Sequence, residues 1–389
     1  MRLTLVISSL ERGGAQRVLC GLAGGWVEAG REVSLITFDR GHTPAYPLHP
    51  GVALHNLDLP AGASNNGLQA LWRNVRKVRK LRRAIRESHP DVVISFLNFA
   101  NMSTLLATRG LGVPVIISER ANPAWEEMSA SWRLLRQSTY PRASALVCQT
   151  ETILQWLQSR IKVAGYVIPN PVALPPGFQE PRPRGEDRGT YLMIGMGRLV
   201  PQKGFDLLLE AFSRVAARHP EWSVKVLGDG PLKAQLEGQA ESLGLKGRVT
   251  FAGSVSDPFP ELSNADLFVF PSRFEGFGSA LCEAMACGLP AISFDCAAGP
   301  SDIIRHEVDG LLVPPEDVAG LAGAMDRLMG SPQERERLAS RAPEVLARFS
   351  MERVLSLWEK LFDRVLPKGR KPAPVLRQSQ PREQGEQRP

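Results

Sequence analysis

Short β-branched or leucine-rich runs alternate with helical segments along most of the chain, and no other feature of the sequence restricts its fold as much. The first runs are LTLVIS (3–8), VSLITF (33–38), DVVISF (91–96), VPVIIS (113–118), ALVCQ (145–149) and YVIPN (166–170). Strands that alternate with helices form a parallel sheet covered by those helices. The alternation pauses after residue 170, where Pro171, Pro175, Pro176, Pro181 and Pro183 mix with glycine and charge, which predicts an interdomain linker over 171–189. It resumes with YLMIGMG (191–197), an amphipathic segment over 205–218, SVKVLG (223–228) and a helix over 231–244. RVTFAG (248–253), LFVFPS (267–272), a helix from Ser279 and PAISF (290–294) complete the second series. Two such series predict an α/β chain of two doubly wound Rossmann-like domains, 1–170 and 190–350, with function in the cleft at the carboxyl ends of their strands. A length of 389 residues agrees with two domains. A last amphipathic helix over 351–366 is expected to pack back on the first domain, and the polar 367–389 tail to be disordered.

The apolar run at the N-terminus is short and is followed at once by charge and paired glycines, so it reads as a first strand and not as a signal peptide. No stretch approaches the ~18–20 apolar residues of a membrane span, and any membrane contact is expected to be peripheral. Cys20, Cys148, Cys282, Cys287 and Cys296 are scattered without paired spacing, which predicts buried thiols in the cytoplasm. The net charge of +7 is unevenly spread: residues 1–170 carry 20 basic and 11 acidic side chains, residues 171–366 carry 21 and 27. Most of the excess lies in Arg73, Arg76, Lys77, Arg79, Lys80, Arg82, Arg83 and Arg86, threaded at helical spacing by Leu71, Val75, Val78, Leu81 and Ile85. Such a basic amphipathic helix suits an anionic membrane surface, although a solvated helix whose charge only aids solubility has the same pattern. Beyond Trp72 there is little aromatic interleaving, which argues against nucleic acid as a partner.

The sequence contains no Walker phosphate loop, no complete GxGxxG, no HExxH and no Asp-x-Asp pair, so neither a P-loop enzyme nor a metal-dependent one is expected. The strand at 191–196 runs into Gly197-Arg198-Leu199-Val200-Pro201-Gln202-Lys203-Gly204-Phe205-Asp206, at the entrance to a helix. The glycines of this turn admit a close backbone approach and its cations suit a diphosphate, as they would also suit an ordinary surface turn. A second segment, Phe274-Glu275-Gly276-Phe277-Gly278-Ser279-Ala280-Leu281-Cys282-Glu283, puts two glycines at a helix N-terminus that could receive phosphate. Eight helical steps between its two glutamates would span ~12 Å, a scale comparable with the ribose and hexose ends of a nucleotide sugar. A dipole-capping Glu275 and a solvated Glu283 are the alternative. Near the amino end, Gly13-Gly14 turns from the first strand into a helix and would let backbone approach a ligand held by the facing domain.

Together these segments resemble the retaining glycosyltransferases of family 4, of GT-B fold, whose motif of two glutamates separated by seven residues is Glu275 to Glu283 here. The similarity extends from residue 1 to about residue 365. It includes Gly13-Gly14-Ala15, Ser118-Glu119-Arg120-Ala121-Asn122-Pro123, Val167-Ile168-Pro169-Asn170-Pro171, Gly228-Asp229-Gly230-Pro231 and Gly299-Pro300-Ser301-Asp302-Ile303-Ile304. The branch includes amylovoran-type galactosyltransferases and N-acetylgalactosaminyltransferases acting on lipid-linked oligosaccharides. The resemblance implies that Arg198 and Lys203 hold the donor diphosphate, that Glu283 binds the ribose, and that Glu275 with the main chain of Gly276, Phe277 and Gly278 holds the sugar. Gly14 would close over the phosphates, and Glu275, Arg198 and Lys203 would carry the catalysis.

By the same resemblance the donor is a UDP-sugar and no cofactor or metal is needed. The acceptor is a polyprenyl-diphosphate-linked oligosaccharide, met at the inner face of the cytoplasmic membrane. None of the histidines at 42, 49, 55, 89, 219 and 306 stands out as a base. Retaining members need none, because the departing phosphate takes the acceptor proton. Glu119 or Arg120 is a further candidate for touching sugar or acceptor, with a structural salt bridge as the alternative. Two departures bear on sugar or acceptor choice: Gln16 stands where many relatives have Glu, and Ala297-Ala298 replaces Pro-Thr. Competing functions are a nucleotide-sugar 2-epimerase of similar fold, a non-catalytic nucleotide-sugar-binding protein and a phosphorylase-like enzyme, the last without a pyridoxal-lysine context.

Overall fold

The computed structural model describes residues 1–39, 43–59, 67–126, 128–178 and 189–366, with the backbone alone for 67–72. The 367–389 tail, positions 179–188 of the expected linker, and the Leu71 and Trp72 side chains lie outside the described residues. Among the described residues, β1 (Arg2–Ile7), β2 (Glu32–Thr37), β3 (Val52–Asn56), β4 (Val92–Phe96), β5 (Val115–Ser118), β6 (Ala145–Cys148) and β7 (Gly165–Val167) form one parallel sheet. Its order is β3-β2-β1-β4-β5-β6-β7. A second parallel sheet, in the order β10-β9-β8-β11-β12-β13, is built from β8 (Tyr191–Met196), β9 (Trp222–Leu227), β10 (Val249–Gly253), β11 (Leu267–Phe270), β12 (Ala291–Phe294) and β13 (Gly310–Val313). Helices cover both faces, so central strands such as β4 and β11 are buried at every residue and read as continuous apolar runs. β3 and β13, which the alternation of the sequence does not single out, are sheet edges.

Each sheet has an apolar layer on both sides. The last helix, Met351–Val365, returns to the first domain and buries Val354, Trp358, Leu361 and Phe362 beside Trp26 of the Gly14–Glu28 helix. Trp26 and Trp358 meet edge to face at 5.7 Å, and Arg31 donates to Glu359 at 2.7 Å. No helix among the described residues is long and apolar enough to cross a membrane. Strand order reverses between β1 and β4 and again between β8 and β11. In open sheets of this kind the crevice for a ligand lies at the carboxyl ends of the strands at such reversals.

Candidate active site

The turn that leaves β8 reaches the Phe205–Val215 helix through Gly204, whose φ of 64° is left-handed. A Cβ there would stand 1.9 Å from the carbonyl oxygen of Pro271, at the end of β11, so the two loops meet closely and only glycine fits. They are also tied by hydrogen bonds. The Arg273 guanidinium forks onto both oxygens of Asp206 at 2.8 and 2.6 Å and reaches Pro201 O at 2.8 Å. Its backbone N–H donates to Gln202 O, and the Gln202 amide donates to Phe274 O. The segments 197–206 and 271–278 are therefore joined at several points. Behind them, Leu199 N–H donates to Asp229 O in the Gly228–Pro231 motif. Arg198 is exposed, and the stem of Lys203 lies along Gly197.

Glu275 belongs to the loop before the Ser279–Ala286 helix, not to the helix itself, and Gly278 caps that helix with a φ of 103°. The Glu275 side chain is buried and accepts from Lys203 Nζ at 2.5 Å. Gly276 lies against the carbonyl oxygen of Arg120 from the first domain. The Phe277 ring is buried edge to face against Phe349 at 5.4 Å, so only its main chain is available to a ligand. Glu283, in the second turn, is 8% exposed. Burial pushes its carboxyl up, and Arg17 opposes this by donating from Nη1 to Oε1 at 2.6 Å. Neither glutamate is a solvated surface residue.

Across the cleft, Gly13 and Gly14 open the Gly14–Glu28 helix with no side-chain cap and no acid in its first turn. A Cβ on Gly14 would meet nothing within 4 Å, so the approach is open. Arg120 is buried, its pKa lowered by burial to about 9, and its Nη1 donates to Asn170 Oδ1 at 2.7 Å. Asn170 donates in turn to Ser279 Oγ at 3.0 Å, so a polar chain runs from the first domain to the start of the Ser279–Ala286 helix. Trp125 stacks on Phe274 of the second domain, with centroids 5.0 Å apart and planes 5° from parallel. Phe99, another exposed aromatic of the first domain, packs edge to face on Trp132 at 4.8 Å.

Glu119 turns inward, away from the role of cleft contact considered from the sequence. It accepts from the Tyr140 hydroxyl, and burial pushes its carboxyl up to about 7. Arg17 and the Trp125–Phe274 stack are not singled out by the sequence. Arg17 adjoins the Gly13-Gly14-Ala15 turn, but nothing local marks it as the partner of a carboxylate far along the chain.

The family profile described as "Glycosyltransferase Family 4" matches residues 12–174, and "Glycosyl transferases group 1" matches 178–345. An exopolysaccharide phosphotransferase of Streptomyces coelicolor is 34% identical over 73% of this chain, which spans only 29% of that longer protein. A lipopolysaccharide core biosynthesis glycosyltransferase of Rhizobium meliloti is 30% identical over 74% of this chain and 80% of its own. The Campylobacter jejuni protein named GalNAc-alpha-(1->4)-GalNAc-alpha-(1->3)-diNAcBac-PP-undecaprenol alpha-1,4-N-acetyl-D-galactosaminyltransferase is 28% identical over 94% of this chain and 99% of its own. Among solved structures, Anabaena HepE in complex with UDP and glucose superposes with a TM-score of 0.74 at 19% identity, covering 92% of this chain and 98% of that one. Two parallel-sheet domains facing across a cleft and both family profiles agree: the chain belongs to glycosyltransferase family 4 and is a hexosyltransferase of GT-B fold.

Proposed function

We propose that the protein moves a hexose or N-acetylhexosamine from a UDP-sugar to a polyprenyl-diphosphate-linked oligosaccharide, with retention of configuration and without a metal. The observation that carries this reading is the arrangement of two buried carboxylates on one loop and helix, each matched by a cation, tied by hydrogen bonds to the turn that carries exposed Arg198. A nucleotide sugar offers hydroxyls at both ends and negative charge between them, which is the complement of such a site. Glu283 takes the ribose and Glu275 the transferred sugar, while Arg198 and Lys203 stabilise the charge that builds on the leaving diphosphate. Holding donor and acceptor in register supplies the rest of the acceleration. UDP as donor product is supported by its presence in the HepE complex, and the acceptor class by the name of the C. jejuni relative.

The basic helix Gly67–Glu87 is proposed to rest on the anionic inner face of the cytoplasmic membrane, where a lipid-linked acceptor is presented. Its cations Arg73, Arg76, Arg79, Arg83 and Arg86 support this role. Other cations of the helix hold the fold. Lys77 lies over the Phe38 ring, its pKa lowered by burial to about 8, and Lys80 and Arg82 donate to backbone carbonyls.

The test is incubation with a panel of radiolabelled nucleotide sugars and a membrane lipid extract. Label entering the lipid fraction from one UDP-sugar is the expected result, slowed roughly 10²–10³-fold by Arg198→Ala. UDP released with the C2-epimeric sugar and without labelled lipid would identify an epimerase, and binding without UDP release a non-catalytic protein.

A further inference from the structure

The pairing between Arg17 and Glu283 joins the two domains across the cleft, and its partners are unequal. Glu283 is nearly enclosed, and Arg17 is its one side-chain hydrogen-bonding partner among the described residues. A buried carboxylate left without a partner is costly, so in the absence of ligand this pairing has an evident function. Arg17 is under no such constraint. Its side chain is 40% exposed and uses one of five guanidinium N–H groups, and the rest have no hydrogen-bond partner among the described residues. It rises from the first turn of the Gly14–Glu28 helix, which carries no acid and no side-chain cap there and whose Gly14 leaves the approach open. The helix end and the guanidinium together make a strongly positive feature that the first domain brings to this part of the cleft.

We infer that Arg17 is a donor-binding residue of the first domain that exchanges partners: the ribose diol of the donor takes over Glu283, and the released guanidinium moves onto the donor diphosphate. This rests on the donor site proposed above and adds a residue to it. The exchange leaves neither charged group without a partner at either stage. Before binding, the cation neutralises the enclosed carboxylate. After binding, two neutral hydroxyls donate to Glu283, and the negatively charged diphosphate acquires a third cation beside Arg198 and Lys203. Because Arg17 lies in one domain and Arg198 and Lys203 in the other, the diphosphate then links the domains where the ion pair linked them before. A guanidinium can fork onto two phosphate oxygens, whereas a lysine acts as a point charge, so Arg17→Lys should restore the function only in part.

An ion pair that merely braces the cleft and a cation that changes partners differ in one measurable respect. The nucleoside alone, without phosphate, competes with Arg17 for Glu283 and gains nothing from the guanidinium, whereas the diphosphate gains a contact that outweighs the competition. Calorimetric titration of the full-length protein, Arg17→Ala and Arg17→Lys with UDP and with uridine separates the two. In Arg17→Ala, UDP affinity is expected to fall at least about tenfold, the effect of one lost charged contact, while uridine affinity holds or rises. Arg17→Lys should lie between the alanine variant and the native protein for UDP. A parallel fall for UDP and uridine means that Arg17 only holds Glu283 in place, and it overturns the exchange. So does an unchanged UDP affinity in a variant whose thermal transition shows it to be folded. If the native protein binds neither UDP nor GDP nor ADP, the donor site itself is misassigned and the role of Arg17 falls with it.

Discussion

At the scale of single residues, the donor loops separate two cations that the sequence presents as equivalent. Arg198 is exposed, whereas Lys203 holds Glu275. Arg198→Ala should therefore lower kcat by roughly 10²–10³, the usual effect of removing one donor aimed at developing charge, with the protein otherwise intact. Lys203→Ala should do the same and in addition release Glu275, raising KM for the sugar donor. Near-native steady-state kinetics in either variant would remove that residue from the diphosphate site. Glu119 shows what burial does to a carboxylate with no cation bonded to it. Tyr140, Asn101, Glu126 and Arg136 surround it, burial is the largest influence, and its carboxyl is pushed up to about 7 in the folded chain. An unfolded glutamate titrates at about 4.3, so between these values the folded protein keeps a proton that the unfolded chain releases. The contribution of Glu119 to stability thus falls as pH rises from about 4.3 to about 7 and is level above that. Glu119→Gln preserves an acceptor for Tyr140 and should raise the melting temperature relative to the native protein at about pH 8, with little difference at about pH 4. Melting temperatures that differ equally at both pH values would show that Glu119 does not titrate in this range.

At the scale of elements, the basic helix changes meaning once its surroundings are known. In the sequence its cations form one uniform run. In the fold, Leu81 and Ile85 are buried, and Lys77, Lys80 and Arg82 bind the surrounding chain, which leaves a stripe of arginines from 73 to 86 facing outward. That stripe is about 20 Å long at 1.5 Å per residue. Each cation near an anionic bilayer contributes about 1 kcal/mol, screened over ~10 Å at 0.1 M salt. Replacing Arg73, Arg76, Arg79, Arg83 and Arg86 by Gln should abolish co-sedimentation with phosphatidylserine-containing vesicles at low salt, and rising salt should abolish it for the native protein. Replacing Lys77 and Lys80 should cost stability instead. Equal sedimentation of the arginine variant and the native protein would place the membrane contact elsewhere. Element boundaries also differ from the sequence pattern for local reasons: the helix expected over 231–244 runs from Lys233 to Ser242, because Pro231 and Leu232 form its entry turn and Gly244 lies in the turn after it.

At the scale of the whole molecule, the last helix makes the chain close on itself. Trp358 is fully buried between Trp26, Phe96 and Phe362 in the first domain's core, although it comes after the second domain in sequence. Truncating an aromatic in such a core costs about 3–5 kcal/mol. Trp358→Ala should therefore lower the transition of the first domain by roughly 10 °C, as read by differential scanning calorimetry, and leave the second domain's transition nearly in place. A lowered transition in the second domain alone would contradict this packing. Cleft geometry depends on the same closure, since the Gly14–Glu28 helix that carries Arg17 also carries Trp26.

The doubly wound fold was legible because strand and helix periodicities are local properties, repeated often enough along the chain to identify parallel sheets and their carboxyl-end cleft. Gly204 and the Glu275–Glu283 segment were legible for a similar reason: a left-handed turn and a helix N-terminus leave marks within a few residues. The edge strands β3 and β13 were not: of Val52–Asn56 only Val52 is buried, which leaves no continuous apolar run to read. Tertiary structure alone decided the partners. Arg17 meets Glu283 across 266 positions, Trp125 finds Phe274 in the other domain, and Glu119 faces Tyr140 and not the cleft. Such pairings depend on where two folded sheets place their loops. No local pattern encodes that, because a charge or a ring carries no mark of the distant group that will satisfy it.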